Sequence, residues 1–213
     1  MRIDELLPPQ FLVSGTDTNV GKTIIASMLA TGLKATYWKP IQSGLDEPTD
    51  TEMVRILSGL PEHLILPEAY RLRTPVSPHA SAAIDGITID TKKLELPPIT
   101  GRLIIEGAGG VMVPVNDDNL LIDIIKSWGL PVLLVASTRL GTINHTLLSL
   151  TALRSKNIAV VGVVMNGSPD EISRLAIERY GKTTVLATIP PLRTVNTETI
   201  RTGFEQYFSG EDF

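Results

Sequence analysis

The feature of this sequence that most constrains its fold is the alternation of short, mostly apolar runs with longer helical patterns. Aliphatic and β-branched residues fill the best of these runs at every position, which predicts strands. The predicted strands cover residues 11–14, 36–39, 102–106, 131–136, 160–165 and 185–189. Helices are predicted between or after them, over residues 22–34, 51–58, 120–127, 143–155, 170–180 and 197–207.

This order of elements predicts a single α/β domain. Strands that are apolar at every position are covered on both faces, so we expect a mostly parallel, doubly wound sheet with helices on both faces. The 213 residues are enough for one such domain with a full core. Residues 61–96 are rich in Pro, Ser and Ala and are predicted to form a long, less regular excursion over the rim of the sheet. Ligands of such sheets bind at the carboxyl ends of the strands.

The composition excludes several classes of function. With 19 Lys and Arg against 23 Asp and Glu, the net charge of −4 argues against broad nucleic-acid binding. The absence of Cys excludes disulfides, thiolate metal sites, iron–sulfur clusters and Cys nucleophiles. No apolar run approaches the roughly 20 residues of a membrane-spanning helix, and residues 1–10 lack the pattern of a signal peptide. We therefore expect a cytoplasmic protein with neither nucleic-acid nor membrane partners.

The segment that follows the first strand has the character of a phosphate-binding loop. It reads Gly-Thr-Asp-Thr-Asn-Val-Gly-Lys-Thr from Gly15 to Thr23 and leads into a helix. Backbone N–H groups at such a helix start hold phosphate oxygens, while Lys22 reaches the outer phosphates and the Thr23 hydroxyl serves Mg²⁺. The first Gly stands one position earlier than usual, so the loop is a variant. The alternative is a Gly-containing turn that binds nothing.

Two carboxylates are candidates for completing a Mg²⁺ site with Thr23. Glu106 ends an apolar strand and is followed by Gly107, Ala108 and Gly109, where P-loop proteins keep a second acidic residue. Asp50 stands at the start of a predicted helix after the second strand. Mg²⁺ binds oxygen ligands and keeps several waters, so one hydroxyl and two carboxylates suffice. The alternatives are a solvated strand-end carboxylate for Glu106 and a helix N-cap for Asp50.

The segment after the fifth strand bears on the choice of nucleotide. A guanine site needs Asn-Lys-x-Asp after a strand, whereas this chain has Asn166-Gly167-Ser168-Pro169. GTP specificity is therefore not expected. Asn166 either hydrogen-bonds an adenine edge or forms an ordinary Asn-Gly turn with Gly167.

Taken together and in this order, the motifs resemble the dethiobiotin synthetase family along nearly the whole chain. The residues that carry the resemblance are Gly15 to Thr23, Lys39-Pro40-Ile41-Gln42-Ser43-Gly44, Asp50, Ser77-Pro78-His79, Glu106 to Gly110 with Val113 to Val115, and Leu140 to His145. The resemblance implies a sheet of the P-loop NTPase type, the cofactors ATP and Mg²⁺, and the substrates 7,8-diaminopelargonate and CO₂. It also implies a homodimer with shared active sites.

The resemblance also implies roles for individual residues. Nucleotide would contact Thr18, Asn19, Val20, Gly21, Lys22, Thr23 and Ile24, the Asp50 and Glu106 carboxylates, Gly107 to Gly109, Asn166 with Gly167, and Pro190, Pro191 and Leu192 around the adenine. Substrate would contact Thr18, Lys39 and Ser43, and its carboxylate would lie at the helix start formed by Gly141, Thr142, Ile143 and Asn144 of the partner subunit. Each of these roles has a simpler alternative. Thr18 could equally shape the loop, and Ser43 could stand in an ordinary turn. Pro190 to Leu192 could form a turn without a ligand, and Thr142 could be a helix N-cap.

Some residues carry less information. Asn19 replaces an acidic residue of many relatives, which leaves open any charge-dependent role there. Neither His79 nor His145 has a His or Cys at zinc spacing, so both are expected to pack or to hydrogen-bond. Residues 75–79 are expected to shape the loop over the substrate.

The expected chemistry assigns catalysis to Lys22 and Lys39. A carbamate formed from an amine and CO₂ is a weak electrophile until it is phosphorylated, so an anion must approach the γ-phosphate. Two ammonium groups at neighbouring strand ends neutralise both anions. The alternative for Lys39 is a solvent-facing side chain.

Two rival functions remain at this point. One is a nucleotide-driven switch ATPase of the partition or division-site type. Those proteins carry an additional Lys five positions before the loop Lys22, where this chain has Asp17. The other is a regulatory domain of the same fold, which would be expected to have lost phosphate or metal ligands.

Overall fold

The computed structural model describes residues 3–46 and 48–209. Its strands are β1 (Gln10–Gly15), β2 (Thr36–Trp38), β3 (Ile41–Ser43), β4 (Ile65–Leu66), β5 (Tyr70–Leu72), β6 (Leu103–Gly110), β7 (Val132–Ser137), β8 (Val160–Asn166) and β9 (Val185–Ile189). Its α-helices are α1 (Ile3–Leu6), α2 (Lys22–Leu33), α3 (Asp50–Ser58), α4 (Pro78–Asp85), α5 (Leu121–Trp128), α6 (Thr142–Ser155), α7 (Glu171–Gly181) and α8 (Thr197–Phe208). Two 3₁₀ turns cover Glu62–Leu64 and Thr91–Leu94.

The main sheet has seven parallel strands in the order β4-β2-β6-β1-β7-β8-β9. One apolar core lies between the sheet and α2, α3 and α8, and a second lies on the opposite face under α4, α5, α6 and α7. The predicted α/β class, with a mostly parallel doubly wound sheet and helices on both faces, is confirmed. Because β1 lies between β6 and β7, its carboxyl end opens at the centre of the sheet edge, beside the end of β6.

Residues 61–96 are more ordered than the sequence pattern predicts. The segment contributes β4 to the edge of the main sheet, and β5 pairs in parallel with β3 as a separate two-stranded sheet. It also contains α4 and both 3₁₀ turns. The segment is therefore a long excursion that contains short regular elements, and its strand β4 joins the edge of the main sheet itself. These strands are two or three residues long, which is too short for a periodic pattern to reveal.

Most other predicted boundaries differ from the structure by one or two residues. The exception is β6, which continues to Gly110, so the prediction that Glu106 ends this strand is wrong. Strand β2 ends at Trp38, so Lys39 lies just beyond it. Helix α3 begins at Asp50 and helix α6 at Thr142, each one residue earlier than predicted. Within the described residues, no helix combines the length and apolarity needed to cross a bilayer.

Helices α2 and α8 approach each other closely because glycine stands at their contact. A Cβ atom added at Gly32 would lie 2.1 Å from Cδ1 of Phe204, which is well inside van der Waals contact. The glycine hydrogen thus gives the aromatic ring the space in which it packs.

We expect Gly32→Ala to destabilise the protein by about 1–3 kcal/mol through this overlap, although alanine is intrinsically favoured over glycine in helices by up to about 1 kcal/mol. Urea unfolding of a double-mutant cycle with Phe204→Ala tests the cause. With the ring removed, Gly32→Ala should become neutral or stabilising. An equal loss of stability in both backgrounds would show that the ring is not responsible.

Candidate active site

The loop between β1 and α2 is held in a conformation that directs its backbone inward. Gly21 is the N-cap of α2 with φ 93°, and Asn19 has φ 56°. Both values lie in the left-handed region, which glycine and asparagine adopt most readily. The Asn166 side-chain amide at the end of β8 donates to the carbonyl of Val20 at 3.0 Å. This hydrogen bond therefore ties the loop to the end of β8, which is separated from β1 by β7.

Lys22 bends back over this loop. Its Nζ donates to the carbonyl oxygen of Asp17 at 3.0 Å, and the residue is 7% exposed. Burial lowers the pKa of Lys22 to about 8, and repulsion from Lys39 contributes in the same direction. A negative ligand in the loop would counter both effects, because it would stabilise the charged ammonium.

Two carboxylates converge on the first residues of α2. Thr23 Oγ1 lies 3.0 Å from Asp50 Oδ1 and 2.9 Å from Glu106 Oε1, and its one proton can be donated to either oxygen. Lys39 Nζ lies 2.6 Å from Asp50 Oδ2 and 3.2 Å from Glu106 Oε1. It also donates to the carbonyl of Gly107 at 3.2 Å. The two acidic groups therefore share one ammonium and one hydroxyl.

The charges of this cluster reinforce one another. Burial alone would lower the pKa of Lys39, but the nearby Glu106 and Asp50 carboxylates outweigh it and the pKa is raised. Burial would likewise raise the pKa of Asp50, but Lys39 outweighs it and the pKa is lowered. At neutral pH the ammonium is charged and Asp50 is ionised. The alternatives of a solvent-facing Lys39 and a solvated Glu106 are wrong, because these residues are 3% and 1% exposed.

The Asp50 carboxylate is available to the cluster because its neighbours Thr49 and Glu52 cap helix α3. The N-cap of α3 is Thr49, whose side chain accepts a hydrogen bond from the backbone N–H of Glu52, while the Glu52 carboxylate accepts from the Thr49 N–H at 2.8 Å. The N-cap interpretation of Asp50 is therefore wrong. The N-cap interpretation of Thr142 is also wrong, since Gly141 holds that position and the Thr142 hydroxyl donates to the carbonyl of Ser137.

The cluster has the oxygen ligands that a hard divalent cation prefers. Thr23 Oγ1 and the Asp50 and Glu106 carboxylates would supply three protein oxygens, and Mg²⁺ keeps waters or takes phosphate oxygens at its other positions. Among residues 3–46 and 48–209, no group of three or more His, Cys, Asp or Glu side chains is placed to hold a metal ion. A cation here would accordingly need ligands from outside the protein.

These groups line a cleft of about 730 Å³. It brings together Thr18, Asn19, Gly21, Lys22, Thr23 and Ile24 with Lys39, Ser43, Asp50, Glu106, Ala108 and Gly109 from the other strand ends. Ser43 Oγ is buried and has no hydrogen-bond partner among the described residues. Pro75, Val76, Ser77 and Pro78 also line the cleft. The cleft therefore combines the phosphate loop, both lysines and both carboxylates.

Other predicted residues lie outside this cleft. Val20 is buried beneath the loop. Asn166 contacts the loop without lining the cleft, while Gly167 and Pro190 to Leu192 follow the ends of β8 and β9. Residues 141–144 follow the end of β7, and the described residues that line the cleft do not include them. His79 Nδ1 pairs with Ser77 Oγ at 3.0 Å, and His145 is exposed.

The sequence analysis assigned no site role to Ile41, Gln42, Met53 and Val113, which line the cleft, or to Tyr37, which contacts Glu106. Of these, Ile41, Gln42 and Val113 stand in motifs that carry the family resemblance. The strand periodicity could have found Tyr37, because residues i and i+2 of a strand share a face and Lys39 is two residues further on. No comparable signal exists for Met53, since only the packing of distant segments brings it to the cleft.

The parallel sheet, the Gly-Lys-Thr loop at the end of β1, and the acidic residue Glu106 within the neighbouring strand β6 define a P-loop nucleotide-binding protein. A family described as an AAA domain matches residues 9–199. The chain is 47% identical over 207 residues to the ATP-dependent dethiobiotin synthetase BioD of Rhodopseudomonas palustris strain BisB18, covering 97% of this chain and 99% of that protein. It is 49% identical to the protein of the same name from Afipia carboxidovorans, covering 96% and 98%. The chain belongs to the dethiobiotin synthetase family.

Solved structures support the fold. The chain superposes with a TM-score of 0.57 on a plasmid partition protein from Borrelia burgdorferi B31, covering 94% of this chain and 96% of that one at 12% identity. A ParA family ATPase from Chlorobium tepidum TLS gives 0.55, with 95% and 91% coverage at 11% identity. At such identities the likeness extends to the fold alone, so it does not favour a switch function.

We expect Mg·ADP binding to take up a proton on Lys22 above pH 8. With a pKa of about 8, the free Lys22 is mostly neutral at pH 8.5, and bound phosphate restores its charge. Calorimetry in two buffers of different ionisation enthalpy should give different binding enthalpies at pH 8.5 and equal ones at pH 6.5. The difference should vanish in Lys22→Arg, whose guanidinium stays charged throughout. Equal binding enthalpies in the two buffers at pH 8.5 in the unmodified protein would contradict proton uptake by Lys22.

Proposed function

We propose that this protein is a cyclo-ligase that forms dethiobiotin from 7,8-diaminopelargonate and CO₂ with ATP and Mg²⁺. The observation that carries the proposal is the placement of Lys22 and Lys39 in one cleft with the two carboxylates of the cluster. A reaction that joins two anions needs such paired cations. The high identity and coverage of the relatives support the same activity.

The reaction has three stages. One amine of the substrate adds to CO₂ and loses a proton, which gives a carbamate. A carbamate oxygen then attacks the γ-phosphorus of ATP, which releases ADP and leaves a carbamic-phosphoric anhydride. Finally the second amine attacks the carbamoyl carbon, phosphate leaves with the bonding electrons, and the ureido ring closes with loss of a proton.

The protein's contribution to these stages is placement and charge. Lys22 lies against the phosphate loop and would contact the β- and γ-phosphates, while Lys39 at the end of β2 would contact the carbamate and the transferred phosphoryl group. Mg²⁺ bound by Thr23, Asp50 and Glu106 would neutralise phosphate charge. Ser43, whose buried hydroxyl lacks a partner among the described residues, would hydrogen-bond the reacting amine or carbamate.

The adenine would lie beyond β8 and β9. The Asn166 amide already donates to Val20, but its carbonyl oxygen remains able to accept from an adenine amino group. Gly167 N donates to the carbonyl of Ile189 at 2.8 Å, which brings the loop after β8 against the start of residues 190–192. This proposal places the base on the opposite side of the phosphate loop from Lys39.

A homodimer with shared sites is also part of the proposal. Leu140 is fully exposed at the start of α6, and Leu148 is exposed further along that helix. The first residues of α6 lie outside their own chain's cleft. Thr142 N donates to the carbonyl of Arg139, so the N–H groups of Ile143 and Asn144 would serve a substrate carboxylate in the partner's cleft. A cytoplasmic location, where ATP and the small substrates are available, belongs to the same proposal.

Lys39→Met should reduce dethiobiotin formation by at least about 100-fold, the usual cost of losing one charged group at a phosphoryl transition state. Purified protein is incubated with ATP, Mg²⁺, bicarbonate and diaminopelargonate, and the product is followed by mass spectrometry. Lys126→Met removes an exposed lysine of α5 as the matched control and should leave turnover unchanged. Binding of Mg·ADP by the Lys39 variant verifies that the cleft is intact. ATP hydrolysis that is equal with and without diaminopelargonate would favour the switch ATPase.

Shared sites predict complementation between two inactive chains. Lys39→Met disables a chain's own cleft, whereas Asn144→Asp places a negative charge beside the substrate carboxylate in the partner's cleft. After random mixing, half of the dimers carry both chains and each has one intact site, so about a quarter of the unmodified activity should return. Replacing the Asn144→Asp chain with one that carries both substitutions should restore nothing. Failure of the first mixture to recover activity would contradict shared sites.

A further inference from the structure

The phenol of Tyr37 contacts the carboxylate cluster but does not line the cleft. Its hydroxyl donates to Glu106 Oε2 at 2.9 Å, and the tyrosine is fully buried. The other oxygen of the same carboxylate, Oε1, faces Thr23 and Lys39. The two oxygens of Glu106 therefore have different surroundings.

The sheet register produces this contact. Tyr37 pairs with Ile104 across the β2 and β6 strands, and Glu106 follows two residues later on the same face of β6. The tyrosine ring extends along that face, within the core formed with α2 and α8, and its hydroxyl reaches the level of the carboxylate. Phenylalanine would fill almost the same volume, so the core does not require the hydroxyl.

The Tyr37 hydroxyl remains a donor throughout the physiological range. Burial and the adjacent Glu106 charge raise the pKa of Tyr37 well above its ordinary value. A neutral phenol beside an ionised carboxylate forms a charge-assisted hydrogen bond, which is stronger than one between neutral groups.

We propose that Tyr37 is a positioning residue that restrains Glu106 to bind a cation through Oε1 alone, and that it thereby favours Mg²⁺ over Ca²⁺. The inference rests on the proposed function, because it needs a cation at Thr23, Asp50 and Glu106. Mg²⁺ requires near-octahedral geometry and is bound by single carboxylate oxygens, whereas Ca²⁺ accepts six to eight ligands and often takes both oxygens of one carboxylate. A hydrogen bond that occupies Oε2 opposes the two-oxygen mode.

Tyr37→Phe tests the inference through metal binding rather than turnover. Protein with a fixed concentration of AMP-PNP is titrated with Mn²⁺, free Mn²⁺ is measured by electron paramagnetic resonance, and Mg²⁺ or Ca²⁺ is then added to displace it. Nucleotide without protein provides the background. We expect the preference for Mg²⁺ over Ca²⁺ to fall by about tenfold in the variant, in the range seen when a hydrogen-bond partner of a metal ligand is removed.

Tyr70→Phe is the matched control. Tyr70 is also buried, and its hydroxyl accepts from the backbone N–H of Asp90 at 2.9 Å, outside the cleft. It should lose comparable stability in thermal unfolding and keep the metal preference of the unmodified protein. All measurements are made at a temperature where both variants are folded.

The possible results distinguish a failure of the cation site from a failure of the role of Tyr37. If the unmodified protein binds no Mn²⁺ beyond the nucleotide background, the proposed cation site is wrong and the role of Tyr37 falls with it. If it binds Mn²⁺ but Tyr37→Phe keeps the same ratio of Mg²⁺ to Ca²⁺ affinity, or Tyr70→Phe shifts that ratio equally, the role of Tyr37 alone is overturned.

Discussion

The active-site cleft depends on two carboxylates, one buried and one partly exposed, that share a single counter-charge. Asp50 and Glu106 meet beside the first turn of α2, and Lys39 lies between them with contacts of 2.6 and 3.2 Å. Lys39 and Glu106 are both buried, and removing one partner of such a pair costs about 3–5 kcal/mol because the remaining charge is left without compensation. The contribution of Asp50 is smaller, because 34% of its side chain is exposed to solvent. The three residues come from separate segments, so their mutual attraction adds to the packing that holds β2, α3 and β6 together at the sheet edge.

The Lys39 cluster and the anchor of the phosphate loop lie on opposite sides of β1. Lys39 and its carboxylates lie on the β6 side of β1, while the phosphate loop is fastened by Asn166 on the β8 side. The loop and Lys22 stand between them, at the centre of the sheet edge. In the proposed function, ATP would span the loop with its terminal phosphate next to the ammonium of Lys39 and its adenine toward β8 and β9.

The sequence predicted the parts of the site that follow directly from strands. Lys39, Glu106 and the Gly15 to Thr23 loop each stand next to a clear apolar run, and parallel strands bring their carboxyl ends to one edge. The strands at residues 65–66 and 70–72 were not predictable, since they are too short to have a periodic pattern. The contact of Asn166 with Val20 spans 146 residues and depends on packing across the sheet, for which a single sequence contains no signal.

The capping box of α3 assigns helix capping and the cleft carboxylate to different residues. Thr49 and Glu52 satisfy the helix start, so Asp50 contributes its charge to the cleft without being needed for the helix. Replacing this carboxylate with a neutral side chain would leave the first turn of α3 and the phosphate loop intact. Through this one position, a descendant of such a chain could lose its chemistry, keep its capacity to bind nucleotide, and become a sensor of nucleotide instead of a catalyst.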